Sequence, residues 1–346
     1  MATIADVARE AGVSISTVSY ALSGKRSIKE ATRTRVMEAA DRLGYQPNAS
    51  ARMLAANRSD IIAVTTPLHP DTDHSAHMLF TMEMTKAARA HDYDTLLLVH
   101  NDAVAGMKRS AATSLADGII VLDVDAHDER AALARELSCP VVFIGIPADT
   151  SGLVCLDLDF EAAAALAVDR LVDAGRTHLG LISHAPEEIE RESNFPLRFA
   201  RSFESRAKER GVACAVAYPT AARADEPIAD LLRDLPELDG LVVNGAESIA
   251  ATVAAALASH GLAVPTDVSV VAAGVAYGTD KYDVPLDIIP LDATASCTAA
   301  MDLLAGMIER GDTPPQVTLL APTYVERGSV AAAVAAVPTP AASTVA

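Results

Sequence analysis

The sequence predicts a small all-α head joined to a larger α/β body built on parallel sheets. Three observations carry this. Over the first 46 residues, apolar positions recur at helical spacing and Gly12, Gly24 and Gly44 punctuate them; glycine tolerates the left-handed stop that a helix end needs. Beyond Ser59, short apolar runs alternate with amphipathic stretches, the pattern of a parallel sheet covered on both faces. The charge divides at the same place. Residues 1–60 hold nine Lys/Arg against six Asp/Glu, whereas the remainder holds 19 against 40, within a chain of formal charge −18. A basic head on an acidic body suits a head that meets phosphate while the body is repelled from it.

Taken in order, Thr3 can cap a helix from about Ile4 to Ala11, with Asp6 at its third position completing a short capping box and facing the helix dipole. Gly12 ends it. Ser14 caps a second helix, Ile15 to about Leu22, which Ser23-Gly24 closes. A third runs to Leu43 with Val36, Ala40 and Leu43 on one face. Gly44 stops it, and Pro47 sits just beyond. Asn48 can cap a further short stretch, Ala49 to Ala56. Two short helices about a glycine, followed by a third, form the helix-turn-helix pattern, with Val7, Ala8, Val13 and Val18 as its small core. The body follows. Strands are expected at Ile61–Thr65, Thr95–Val99, Gly118–Leu122, Val141–Ile144, His178–Ile182, Gly240–Val243 and Val268–Ala272. Helices are expected near Ala76–Ala90, Glu129–Leu137, Phe160–Ala174, Phe199–Arg210, Ile228–Asp234, Ser248–His260 and Thr294–Arg310. Residues 331–346 have no period and read as a flexible tail.

Other classes are excluded. Half of the residues are hydrophobic, which rules out a disordered chain. No apolar run reaches the ~20 residues of a spanning helix, and Met1–Asp6 lacks the basic and apolar regions of a secretory signal, so no membrane partner and a cytoplasmic location are expected. Cys139, Cys155, Cys214 and Cys297 are scattered without paired spacing. They read as small buried apolar residues in a reducing compartment rather than a disulfide or zinc framework. No Ser/His/Asp order or Gly-rich phosphate loop points to an enzyme, and no cofactor is called for.

The string Thr3-Ile4-Ala5-Asp6-Val7-Ala8-Arg9-Glu10-Ala11-Gly12-Val13-Ser14-Ile15-Ser16-Thr17-Val18-Ser19 is far more specific than the pattern. With Thr32-Arg33, Leu43-Gly44-Tyr45-Gln46-Pro47-Asn48 and Ala51-Arg52-Met53-Leu54, it resembles the head of the LacI/GalR family of bacterial transcription regulators. The resemblance continues to about Val330 through Arg198-Phe199-Ala200, Val243-Asn244, Val264-Pro265-Thr266-Asp267-Val268-Ser269-Val270-Val271 and Glu326-Arg327-Gly328-Ser329. It implies a DNA-binding domain over 1–46, a hinge helix and linker over 47–59, and an effector-binding and dimerisation domain over 60–330. That last domain would be a two-lobed, periplasmic-binding-protein-like body. Its N-lobe would take about 60–159 and 290–320, its C-lobe about 160–289 and 321–330, with three crossovers between them.

The same resemblance implies that the second helix enters the major groove. Ile15, Ser16 and Tyr20 would then meet base edges; none offers the bidentate fork of Arg or Asn. Ser14, Thr17 and Ser19 fall where phosphates are held, with capping or solvent exposure as the alternative for Thr17 and Ser19, and Thr3 is counted among the DNA contacts. Asn48, Ala51 and Leu54 lie on the implied hinge helix. Leu54 stands where a side chain wedges between central base pairs in the minor groove, the alternative being core of a linker helix. So short a helix is unstable alone in water, which lets it order on DNA. Two heads imply a homodimer and a near-palindromic operator.

In the body, the resemblance implies ligand between the lobes at the carboxyl ends of strands. Arg198 and Asn244 match effector-contact positions. Gly145, Gly274, Leu291 and Ala293 stand where sugar-binding relatives often carry acids, an amide or an aromatic platform. Asp292 is kept, at a position that also caps the next helix. The stretch 66–77, with Thr66, His69, Asp71, Asp73, His74 and His77, follows the first body strand. It admits three readings: a ligand-contact loop, a solvated loop with a helix cap, or a metal site. Glu187–Asn194 leads to Arg198 and reads either as a source of hydrogen bonds from Arg191 or Asn194, or as a charged surface loop. The function expected is a repressor of carbohydrate-catabolic genes released by a saccharide. A nucleoside or other metabolite, a corepressor action, a ligand carrier that does not regulate, or an enzyme on the same clamshell are the alternatives.

Overall fold

The computed structural model describes residues 2–23, 28–45, 58–66, 74–99 and 103–331. The chain divides into two compact units, Met1–Ser59 and Asp60–Ala346. The expectations placed on Gly24, Asn48, Ala51, Leu54, His69, Asp71 and the tail lie outside the described residues.

The first unit contains α1 (Ile4–Ala11), α2 (Ile15–Ser23) and α3 (Glu30–Arg42). Thr3 and Asp6 make the full reciprocal capping box. Gly12, at φ +66°, turns the chain between α1 and α2 in the left-handed region. Ser14 caps α2, its hydroxyl accepting from the Thr17 N–H at 3.1 Å. The three helices close on Val7, Ala8, Ala11, Val18, Ala21, Val36, Ala39 and Ala40, all buried. Small side chains let short helices approach closely. Val13 is only partly buried against this core.

The second unit runs β1 (Ile61–Thr65), α4 (His74–Ala90), β2 (Asp94–Leu98), α5 (Ala103–Ala112), β3 (Gly118–Val121), α6 (Glu129–Ala134), β4 (Val141–Ile144) and β5 (Val154–Leu158). It continues through α7 (Phe160–Asp173), β6 (His178–Ile182), α8 (Pro186–Glu190), α9 (Asn194–Arg210), β7 (Ala213–Ala217), α10 (Asp225–Asp234), β8 (Gly240–Val243), α11 (Glu247–Ser259), β9 (Ser269–Val275) and β10 (Asp287–Pro290). It ends with α12 (Ala293–Arg310) and β11 (Val317–Leu320). Two sheets result, ordered β11-β5-β4-β3-β1-β2 and β10-β9-β8-β6-β7, and every pairing between these strands is parallel. The central strands β3, β4 and β8 are buried along their whole length, as expected where helices cover both faces. Each sheet has an apolar layer on either side.

The chain passes between the sheets three times: after β5, after β10 and after β11. The last return is pinned by Ile288 and Val325, which exchange both backbone bonds, and by Ser329, whose hydroxyl accepts from the Asp287 N–H at 2.7 Å.

Several elements differ from the sequence expectation. β2 begins and ends one residue earlier than Thr95–Val99, and β9 extends to Val275 instead of stopping at Ala272. β5, β7, β10, β11, α5 and α8 were not anticipated. β5 contains a buried aspartate, β7 is mostly alanine, β10 ends in proline, and β11 is a half-exposed edge, so none shows a clean apolar run. α9 begins at Asn194 rather than Phe199 because Pro196, in the first turn, has no helical hydrogen bond to lose. α4 begins at His74, so His74 to His77 form a first helical turn and not a loop. Among the described residues no helix is long and apolar enough to cross a membrane. Cys155 and Cys297 are buried, and all four cysteines are free thiols.

Candidate nucleic-acid interface and ligand cleft

On α2 the cap and the buried Val18 and Ala21 fix which side faces outward. Ile15 is 52% exposed and Tyr20 37%, and Ser16 is exposed between them along the chain. A bulky apolar side chain held in water beside a hydroxyl and a phenol is a surface that awaits contact. Ser14 is committed locally: its hydroxyl lies 2.8 Å from both the Ser16 and Thr17 hydroxyls. Thr17 and Ser19 are half-buried. Thr3 is exposed, and its hydroxyl donates to Asp6 Oδ2 at 2.7 Å.

In the body, a cleft of about 720 Å³ opens between the two sheets, a size typical of small-molecule sites. Its walls are the residues that follow the carboxyl ends of strands: Asp123 after β3, Gly145 after β4, His184 after β6, Gly245 after β8 and Tyr277 after β9. Strand ends in open parallel sheets leave this crevice because the helical crossovers diverge there. One wall is aromatic. Phe195 lies 5.0 Å from Phe160 and meets His184 edge-on at 4.9 Å. His184 is steadied by Glu188, at 2.9 Å from its Nδ1.

Two arginines, Arg130 buried and Arg198 partly buried, hold the first lobe's rim and the cleft floor. Arg130 grips both oxygens of Asp128 and donates to Thr65 Oγ1 at 3.0 Å, to the Leu122 carbonyl at 2.9 Å and to the Asp123 carbonyl. That staples the ends of β1 and β3 to the start of α6. Arg198 donates to Asp157 at 2.7 Å and to both oxygens of Glu161. Burial pushes the Asp157 carboxyl up to about 7, against the pull of Arg198. The bond from Arg198 holds Glu161 below its ordinary value.

The lobes also touch directly. Arg191 donates to Asp125 at 2.6 Å and to Asp123 at 3.3 Å. Asp125 and Ser193 form an antiparallel bridge, and the Asn194 amide donates to the Ile146 carbonyl. Burial raises the Asp125 carboxyl, with Arg191 opposing.

The residues expected to touch ligand are distributed as follows. Arg198 does not line the cleft but supports Asp157, which does. Asn244 is fully buried just behind it. Its Nδ2 donates to the Ala273 carbonyl at 2.7 Å, and its Oδ1 has no partner. Thr66 is buried at the end of β1. Ser75 and His77 line the cleft from the first turn of α4. Among the described residues no His, Cys, Asp and Glu gather as a metal set. Gly145, Gly274 and Leu291 line the wall, and the two glycines are required. A Cβ on Gly145 would stand 2.8 Å from the Val124 side chain, and one on Gly274 2.9 Å from Asn244 Nδ2. Asp292 caps α12, accepting from the Ala295 N–H at 3.0 Å. The cleft's acids are instead Asp123, Asp157, Glu188 and Glu247. Sequence reasoning missed Asp123, Asp157, Glu247, Phe160 and Phe195 as site residues. Position directly after a predicted strand would have flagged Asp123, whereas Glu247 lies four residues beyond Val243, at the start of the next helix.

Comparison with known proteins is consistent across both units. Residues 3–48 match the family model for bacterial regulatory proteins of the lacI family, and residues 168–330 match the periplasmic binding protein-like domain. Catabolite control protein A of Priestia megaterium is 31% identical over 189 residues, 54% of this chain and 56% of that protein. The chain thus spans about half the length of that relative. The HTH-type transcriptional regulator AglR of Rhizobium meliloti (strain 1021) is 27% identical over 320 residues, 88% of each chain. Among solved structures, the Lac repressor dimer bound to operator and the anti-inducer ONPF aligns at a TM-score of 0.78 and 22% identity, covering 96% of this chain and 99% of that one. The transcriptional regulator CelR–cellobiose complex aligns at 0.65 and 19%, covering 95% and 100%. A capped helix-turn-helix head, a two-sheet body with a cleft at its strand ends, and matches to both units together establish that the chain belongs to the lacI family of bacterial regulatory proteins.

Proposed function

We propose that this protein is a sequence-specific DNA-binding transcription regulator, a repressor of carbohydrate-catabolic genes that a small saccharide releases from its operator. The carrying observation is the outward face of α2: Ile15, Ser16 and Tyr20 stand exposed on a rigid, capped helix in a basic head. In the major groove Ile15 meets a thymine methyl, while Ser16 and Tyr20 reach base edges. Ser14, Thr17, Ser19 and Thr3 hold phosphates. Asn48, Ala51 and Leu54 belong to the hinge segment, with Leu54 as the minor-groove wedge.

Two copies bind one near-palindromic operator. Met78, Leu79 and Met82 on α4 are exposed, as are Leu97 on the edge strand β2 and Val99 just after it. This apolar face is one that a second copy covers. Saccharide enters the cleft against Phe160 and Phe195. Asn244 contacts it, and Arg198 acts through Asp157. Closure of the lobes then alters the spacing of the two hinge segments, so DNA and effector weaken each other by one shared coupling free energy. The protein works in the cytoplasm, where its operator is.

The test is selection of duplexes from a random pool with the full chain, followed by titration of the winner and of a scrambled duplex across salt. The expected result is a two-fold symmetric site bound at least about 10³ more tightly than the scramble. An enriched pool without symmetry, or equal affinity for both duplexes, overturns the proposal.

A further inference from the structure

The cleft's charge is lopsided in a way that constrains what enters it. Four carboxylates line it, from Asp123, Asp157, Glu188 and Glu247, against one guanidinium, that of Arg191. No lysine lines it among the described residues. Arg191 is already shared between Asp123 and Asp125. The arginine under the floor, Arg198, is likewise shared between Asp157 and Glu161. Each cation is therefore matched by two acids, and neither has its charge to spare for an incoming anion. Glu188 meets the ring of His184, and Glu247 sits exposed in the first turn of α11. An anion entering here meets the Glu188 and Glu247 carboxylates in a partly desolvated space, with no cation among the described lining residues free to offset it.

An independent observation concerns hydrogen bonds. Asn244 and Ser183 are both fully buried. They lie where β8 and β6 end, next to the lining residues Gly245 and His184. Neither Asn244 Oδ1 nor Ser183 Oγ has a partner. The Asn244 orientation is fixed, because its Nδ2 donates to the Ala273 carbonyl; what remains unmatched is its Oδ1 acceptor. Buried polar atoms left unsatisfied are costly and are normally matched by water or ligand. The lining thus carries an excess of negative charge beside the rings of Phe160 and Phe195, with an unmatched amide oxygen and an unmatched hydroxyl buried directly behind it.

We infer that the cleft selects its ligand by charge. It takes a molecule rich in O–H or N–H donors and free of phosphate and carboxylate, an unphosphorylated saccharide, and it binds most tightly a saccharide in which one hydroxyl is replaced by an amine. The donors satisfy Asn244, Ser183 and the carboxylates, the sugar's C–H face stacks on Phe195, and the amine offsets Glu188 and Glu247. This rests on the cleft being the effector site.

The test is thermal shift followed by calorimetry on the full chain at constant ionic strength. The probes are matched sets of mono- and disaccharides: the neutral sugar, its amino form, and its phosphate or uronate. For whichever sugar stabilises the protein, the amino form should bind at least as tightly, with affinity falling as salt rises. The phosphate or uronate should bind at least about tenfold more weakly. Glu247→Gln should narrow the gap between amino and phosphate forms, and Glu247→Arg should reverse it. A phosphate or uronate that binds as tightly as its neutral parent overturns the charge inference and leaves the regulator standing. Failure of all three classes to stabilise the protein overturns the effector reading itself.

Discussion

The head and the cleft solve the same problem, presenting chemistry to a partner, in opposite ways. The head's reading face runs from Ser14 to Tyr20 on one helix, and a cap, a glycine and a Val/Ala core position it. The cleft draws its acids from Asp123, Asp157, Glu188 and Glu247, at the ends of strands and helices far apart in sequence. Asp123 and Asp157 are held by the guanidinium groups of Arg191 and Arg198, and Glu188 by the ring of His184. The difference teaches where each is vulnerable. A face built on one helix loses a contact at a time. A rim stapled by one buried cation fails together.

The strongest way to break that contrast is Arg130→Met. Arg130 is 5% exposed, and its removal strands the buried Asp128 carboxylate and two carbonyls. Losing one partner of a buried ion pair costs about 3–5 kcal/mol, and the urea midpoint of the body should fall accordingly while hydrogen-exchange protection in α1 and α2 stays as it was. A loss below about 1 kcal/mol would mean that the staple is no more than a surface pair.

Asp157→Asn probes the second anchor more gently, because Arg198 keeps Glu161. Burial sets the folded-state value near 7, above the ordinary 3.8, so the folded protein holds this proton more tightly than the unfolded chain does. Its stabilising contribution is complete below about 3.8 and is lost as pH rises through about 7. The stability of the parent relative to Asp157→Asn should therefore decline from pH 5 to pH 8. Glu161, shifted the other way, changes only at lower pH and does not mask this. A difference that is flat across the window removes the shift.

How much of this was legible in the sequence follows the same division. The caps Thr3 and Ser14, the turn at Gly12 and all three head helices were readable because each depends on neighbours within four residues. Both lobes' central strands were readable because burial on both faces forces continuous apolar runs such as Val141–Ile144. β5 was not, since Asp157 interrupts its pattern, and only the return of Arg198 from a helix 41 residues on explains a buried acid there. Asp157 was invisible as a cleft acid for the same reason, whereas Asp123 directly follows the predicted strand Gly118–Leu122 and Glu188 lies in the singled-out segment Glu187–Asn194. Gly145 and Gly274 read from the sequence as positions that had lost an acid, an amide or an aromatic platform, whereas packing against Val124 and Asn244 requires glycine at both.

A smaller effect is expected on the head's own face. Tyr20→Ala removes one exposed contact and leaves the core intact. It should cost about 1–3 kcal/mol in affinity for the selected operator and little for scrambled DNA, with no change in α1–α3 protection. Equal loss on both duplexes would place Tyr20 on phosphate rather than on a base edge.

The smallest effect, and the sharpest, is Thr3→Ala. Thr3 is read from the sequence both as a helix cap and as a DNA contact, and in the structure its hydroxyl already donates to Asp6 Oδ2 while accepting from the Asp6 N–H at 3.3 Å. Losing a threonine cap costs about 1 kcal/mol, so exchange protection of α1 should fall about fivefold. If capping is its whole role, affinity for DNA at a temperature where the head is folded should be unchanged, and Thr3→Ser should restore protection. If the hydroxyl also holds a phosphate, affinity should fall equally for operator and scramble, since backbone contacts carry no sequence information. The hydroxyl cannot give its one hydrogen to both Asp6 and a phosphate. A loss of affinity would therefore mean that the cap opens on binding, so that even the most local part of the head is remade by its partner.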